Sequence, residues 1–179
     1  MSPQRFPNGV EIRAGVEVRA AGRKLVGYAA TFGTKAKIGD FNESIRSGAF
    51  KASLASGRDV LALVDHDPGR LLARTSSGTL RLAEDSRGLQ FELDVPPTQL
   101  GNDVLALAER RDIGGMSFGF MVKDEEWKGA DRELRGIDLH EISIVHSWPA
   151  YSNTTVQARS APHSRSEMWS HLRYLEALL

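Results

Sequence analysis

Apolar and polar residues alternate along much of the chain, and a period of two is the mark of strands with one buried face. Residues 10–20 alternate around Gly15, as in Val16-Glu17-Val18-Arg19, and predict a half-buried strand or a hairpin. Residues 24–31 predict another strand, with Gly27 marking a bulge. Residues 59–65 carry the run Val60-Leu61-Ala62-Leu63-Val64, and the Pro68-Gly69 pair closes that strand beyond His66. Short strands follow at 71–74, 79–83 and 89–95, with turn residues between them. Ser117 opens a further strand, a polar hairpin surrounds 127–132, and 134–145 returns as a strand region. An aromatic turn, Ser147-Trp148-Pro149-Ala150-Tyr151, precedes a final short strand at 154–157. This spacing of strands suits an antiparallel meander or barrel.

Helical periodicity is sparser. Residues 98–112 place Leu100, Val104, Leu107 and Ala108 on one face, with Arg110-Arg111 in the last turn and Gly114-Gly115 beyond it. After a loop at 32–40, Ser47 is placed to cap a short helix running through Ser56, with Phe50 and Leu54 on one face and Gly57 as its stop. Residues 158–165 are polar and linker-like. A capping box, Ser164-x-x-Glu167, then opens a stripe of Met168, Leu172, Leu175 and Leu179. That stripe is a packing face for this chain or a partner. The expected class is mainly β with helices, α+β. The expected layout is a flexible N-terminal arm at 1–9, one main domain at 10–157, and a linker with an amphipathic helix at 158–179.

Composition narrows the functions. The chain has 179 residues, enough for one domain with a real core. Lys+Arg number 23 and Asp+Glu number 23, so no bulk charge favours a nucleic acid or a membrane surface. There is no cysteine, hence no disulfide frame and no thiolate nucleophile. No apolar run reaches membrane-spanning length, and residues 1–8 lack a signal-peptide core.

Candidate chemistry centres on Gly114-Gly115-Met116-Ser117-Phe118-Gly119-Phe120. A serine hydroxyl becomes a nucleophile when a base takes its proton, and glycines give a substrate backbone room to approach it. The Gly-x-Ser-x-Gly pattern also occurs by chance. It is not an α/β-hydrolase elbow, because a strand rather than a helix follows the serine. His66, between Asp65 and Asp67 at a strand end, is the candidate base; the alternative is a satisfied polar turn. A metal reading of Asp65-His66-Asp67 is weak, since strand neighbours point to opposite faces. His163 and His171 read as solvated residues. Strand parity puts Leu139, Glu141, Ser143 and Val145 on one face, and His140, Ile142, Ile144 and His146 on the other. Glu141 is the candidate third member, able to fix the imidazole tautomer; it also reads as a plain surface carboxylate, and His140 is its rival.

The order His66, Ser117, then Glu141 or His140 resembles the prohead maturation proteases of tailed bacteriophages, relatives of the herpesvirus assemblins. The matching stretches are Ile38-Gly39-Asp40-Phe41 with Ser47-Gly48-Ala49-Phe50, Val64-Asp65-His66-Asp67, and Gly88-Leu89. The glycine-flanked serine segment, the run Leu139–Val145 and Pro149-Ala150-Tyr151 complete the set. Together they span roughly residues 25 to 157 in family order, and the ordered set is more specific than any one motif.

The resemblance implies a small antiparallel β-barrel surrounded by helices and a serine endopeptidase with no metal or organic cofactor. It carries the nucleophile to Ser117 and the base to His66. Assemblins use a second His as third member, at a position that falls on Glu141, so this sequence departs from them there. The substrates implied are phage major capsid protein or scaffold protein, cut inside the immature prohead in the host cytoplasm, together with self-cleavage. A homo-oligomer, such as the assemblin dimer, is an analogy. Backbone N–H groups near 148–151 are candidate oxyanion donors, excluding Pro149, which has none. Two other readings remain: a non-catalytic capsid-assembly or scaffold-binding protein on the same fold, and an esterase.

Overall fold

A computed structural model describes residues 10–15 and 17–146. The expected arm at 1–9, the turn at 147–151, the strand at 154–157 and the linker and helix at 158–179 lie outside the described residues.

Among the described residues, eleven strands and two helices follow one another. They are β1 Val10–Gly15, β2 Glu17–Ala21, β3 Lys24–Thr31, β4 Ala36–Ile38, β5 Phe41–Ile45, α1 Lys51–Ala55 and β6 Leu61–Val64. Then come β7 Asp67–Arg74, β8 Leu80–Glu84, β9 Gly88–Asp94, α2 Gln99–Arg110, β10 Gly115–Lys128 and β11 Asp131–Val145. The class is α+β and mostly β. Among the described residues the strands do not close into the expected barrel, and only two helices accompany them. They form a seven-stranded sheet and a four-stranded sheet, the latter ordered β2-β3-β9-β8.

The larger sheet is built on the long antiparallel hairpin β10–β11. β1 pairs with the outer edge of β10. The other edge of β11 is shared by two short strands running parallel to it. β5 lies beside Asp131–Leu134 and β6 beside Glu141–Ile144. This shared edge replaces the purely antiparallel arrangement expected from the spacing.

One hydrophobic core joins the two sheets. Met116, Phe118 and Phe120 of β10, Ile142 and Ile144 of β11, and Ala62 and Val64 of β6 enter it from the larger sheet. Leu25, Leu89, Phe91, Leu93 and Leu80 enter from the smaller one. Alternation then sends Ser117, Gly119, Glu141 and Ser143 to the opposite face.

Several local expectations are corrected. Residues 10–20 are neither one strand nor a hairpin, because β1 pairs with β10 while β2 pairs with β3. The bulge in β3 falls between Tyr28 and Ala30, not at Gly27. The expected loop at 32–40 contains β4, and β5 follows it directly. Ser47 does not cap α1: the N-cap is Phe50, without a side-chain cap. The Glu84 carboxylate of β8 instead accepts the N–H groups of Gly48 and Phe50, at 2.6 and 3.0 Å. α2 begins as expected, with Thr98 Oγ1 accepting the Gly101 N–H. It ends on Arg111 in the left-handed conformation, before the glycines.

Candidate active site

β6 and β7 are joined by a two-residue turn, with Val64 opposite Asp67. Such turns need positive φ at both central positions, which is why Asn-Gly is common there. Here the positions are Asp65 (φ 52°) and His66 (φ 60°), neither of them glycine. The left-handed region costs a non-glycine residue roughly 1–2 kcal/mol, and such residues gather at functional sites. The strand therefore ends before the Pro68-Gly69 pair, and His66 sits within the turn. Two hydrogen bonds to β11 hold it: Asp65 N–H donates to the Ile144 carbonyl at 2.8 Å, and His66 N–H to Ser143 Oγ at 3.1 Å.

The His66 ring points at β11. Its Nδ1 lies 2.7 Å from Glu141 Oε1. A carboxylate only accepts, so Nδ1 carries the proton and a neutral ring keeps its lone pair on Nε2. Glu141 Oε2 accepts the Ser143 hydroxyl at 2.7 Å. Glu141 is buried, 4 % exposed. Burial alone would push the His66 pKa down, but the adjacent Glu141 carboxylate outweighs it and raises the pKa above the ordinary value.

Ser117 lies directly opposite Ser143 in the β10–β11 register, and Gly119 opposite Glu141. Opposed residues of this kind have Cβ atoms about 5 Å apart. Ser117 thus borders the group formed by Ser143, Glu141 and His66 on the same sheet face. It is 1 % exposed.

The expected strand parity fails at one residue. The register steps from Gly119↔Glu141 to Phe120↔Leu139, leaving His140 as the extra residue of a bulge. Leu139 therefore enters the core, although it was expected to share a face with Glu141. His140 is turned toward Asp138, 4.0 Å away. Burial pulls its pKa down, and the Arg58 cation adds to that.

Asp65 and His66 diverge, against a shared metal role. Asp65 Oδ1 accepts the His146 N–H at 3.0 Å, and Oδ2 meets His146 Nδ1 at 2.6 Å and Arg70 Nη1 at 2.8 Å. Burial would raise the Asp65 pKa, yet these donors, led by the His146 N–H, hold it below the usual value. Among the described residues no group of three or more His, Asp or Glu converges as a metal site. No helix there is long and apolar enough to cross a membrane.

Sequence reasoning overlooked the contacts of Ser143, the space left at Gly119 and the pairing of Asp65 with His146. Strand parity set Ser143 on the face of Glu141, and the motif glycine at 119 offered a second signal, which suggested substrate access instead.

Serine hydrolases use a serine beside an acid–imidazole pair, and the described residues bring these three residue types to one sheet face. The chain belongs to the caudovirus prohead serine protease family, whose model matches residues 10–168. It is thus of the class of phage serine proteases that act in capsid maturation. No curated protein and no solved structure matches the chain.

Proposed function

We propose that the chain is a serine endopeptidase in which Ser117 is the nucleophile, His66 the general base and Glu141 the acid that orients the base. The observation that carries this reading is the 2.7 Å contact of His66 Nδ1 with buried Glu141, beside the strand position opposite Ser117. In the reaction, Ser117 Oγ attacks the peptide carbonyl carbon while His66 Nε2 takes its proton. Glu141 stabilises the imidazolium. As the C–N bond breaks, that proton passes to the departing amine nitrogen. Water then attacks the acyl-serine, giving one proton to His66, which returns it to Ser117 Oγ. No group of the reaction requires a metal or an organic cofactor.

The family supports substrates among capsid and scaffold proteins inside the prohead of an infected cell, and the protease itself is a further substrate in this proposal. The chain order His66, Ser117, Glu141 favours kinship with the assemblins; a dimer follows only by that analogy, and the protease domain is taken as 10–157. Glu141 then stands where assemblins carry a second His.

The test is co-expression of the phage capsid and scaffold proteins with the protease. Ser117→Ala is expected to leave both precursors intact while the protease stays folded. Normal processing by that variant would favour a non-catalytic assembly role. Cleavage of small esters with no peptide or protein ever cut would favour an esterase.

A further inference from the structure

We propose that Ser143 is a positioning residue that ties the base and the acid into one closed ring of hydrogen bonds. The inference rests on the roles given above to His66 and Glu141. The ring has three links. His66 N–H donates to Ser143 Oγ at 3.1 Å, the Ser143 hydroxyl donates to Glu141 Oε2 at 2.7 Å, and Glu141 Oε1 accepts from His66 Nδ1 at 2.7 Å.

A serine hydroxyl has a single proton. Here Glu141 takes it, and a lone pair receives the His66 N–H. Ser143 is fully buried, so water does not readily replace either link. His66 is thereby gripped at its main chain and its ring by residues two apart on one strand. The turn cannot rotate without breaking more than one link. The two positive-φ residues of that turn make such restraint necessary.

Strand β10 leaves the room this ring needs. A Cβ built on Gly119 would lie 2.5 Å from Glu141 Oε1 and 3.2 Å from its Cδ. The second glycine of the Gly-x-Ser-x-Gly segment therefore serves the acid: the carboxylate lies over it. Ser117 and Gly119 on β10 face Ser143 and Glu141 on β11, and each pair is spaced to share one face.

The hydroxyl also tunes the base. Its donation spreads the charge of Glu141 and weakens the pull of that carboxylate on the His66 proton. Ser143→Ala removes the donor, so the imidazole should hold its proton to higher pH.

The experiment follows the His66 ring titration by NMR in the full chain, with Ser117→Ala as background to prevent self-cleavage. Ser143→Ala is compared with Ser143→Thr, which keeps the hydroxyl. Ser143→Ala should raise the His66 titration by about half a unit or more, and Ser143→Thr should restore it. In the active protein, Ser143→Ala should slow processing of co-expressed capsid precursor by about tenfold. An unmoved titration in a folded Ser143→Ala protein would overturn the proposal, as would Ser143→Thr behaving like Ser143→Ala. If Ser143→Ala does not fold, Ser143→Cys, a weaker donor of similar size, is read in the same way. Normal processing by His66→Ala would remove the base assignment itself. Full activity of Ser143→Ala beside an inactive His66→Ala would remove only the role of Ser143.

Discussion

The two ends of the β10–β11 hairpin each bury a carboxylate, and they do so with opposite chemistry. Near the tip, Glu43 of β5 is fully buried against Arg132, whose Nη1 donates to it at 2.9 Å. Arg132 also donates to Glu125 through Nε at 2.6 Å, beneath the rings of Phe41 and Trp127. At the other end Glu141 is buried against His66. A guanidinium does not lose its proton in proteins, so the tip is a fixed charge that joins β5, β10 and β11. An imidazole can give up its proton near neutral pH, so the other end can change charge during a reaction. Burying a carboxylate is common to both ends; the partner decides which end can do chemistry.

Substitutions should separate the ends. At the His66 end, His66→Ala should reduce kcat/KM by roughly 10⁴-fold or more, while thermal unfolding shows a protein still folded. At the tip, Arg132→Met should leave Glu43 buried without its guanidinium. Breaking a buried pair from one side costs about 3–5 kcal/mol, visible as a lower denaturant midpoint. Activity per folded molecule should not change. If Arg132→Met instead abolished cleavage in protein that remained folded, the division between the ends would be wrong.

A substitution aimed at the space beside the acid sharpens the contrast. Gly119→Ala puts a methyl where Glu141 Oε1 lies, so the carboxylate must swing off His66 or the strands must part. Activity should fall about 10- to 100-fold, with a stability loss of about 1–3 kcal/mol from overpacking. Gly129, in the turn at the tip, has nothing within 4 Å of a built Cβ. Its φ of 62° still strains alanine, so Gly129→Ala should cost about 1 kcal/mol and spare catalysis. Peptide-cleavage assays with parallel melting curves check both.

The sequence shows the same division. The β8–β9 pair and helix α2 were legible because their alternation or helical period is unbroken, with Leu89, Phe91 and Leu93 all turned into the core. β5 was not, since Phe41-Asn42-Glu43-Ser44-Ile45 hides a core-directed position behind a glutamate. Arg132, 89 residues later, meets it there. The face of Leu139 was misjudged because one inserted residue, His140, reverses parity without changing composition. The turn at Asp65-His66 was displaced toward Pro68-Gly69, since neither of its residues announces positive φ. Ser117, His66 and Glu141 could be singled out by chemical type. The link from Ser143 to the His66 N–H, 77 positions away, leaves no local trace.

The smallest effect is the one that most directly opposes the two ends. The pKa of His66 is raised in the folded protein, chiefly by Glu141 acting against the effect of burial. Its charged pairing with Glu141 therefore adds stability that is fully present below the unfolded pKa of histidine, about 6.5. That increment is lost as pH rises through the folded pKa. Catalysis needs the neutral ring, so kcat/KM should climb over the same interval, with its acid limb centred above that of a free histidine. Stability and activity should thus move in opposite directions across one titration. Glu141→Gln should abolish the stability gained at low pH and move the acid limb down, since the carboxylate that holds the proton is gone and burial still acts. Arg132 stays charged throughout, and Arg132→Met should shift neither limb. Denaturation midpoints and kcat/KM measured from pH 5 to 9 test this, and an acid limb below that of free histidine in the unsubstituted protein would refute the assignment of Glu141.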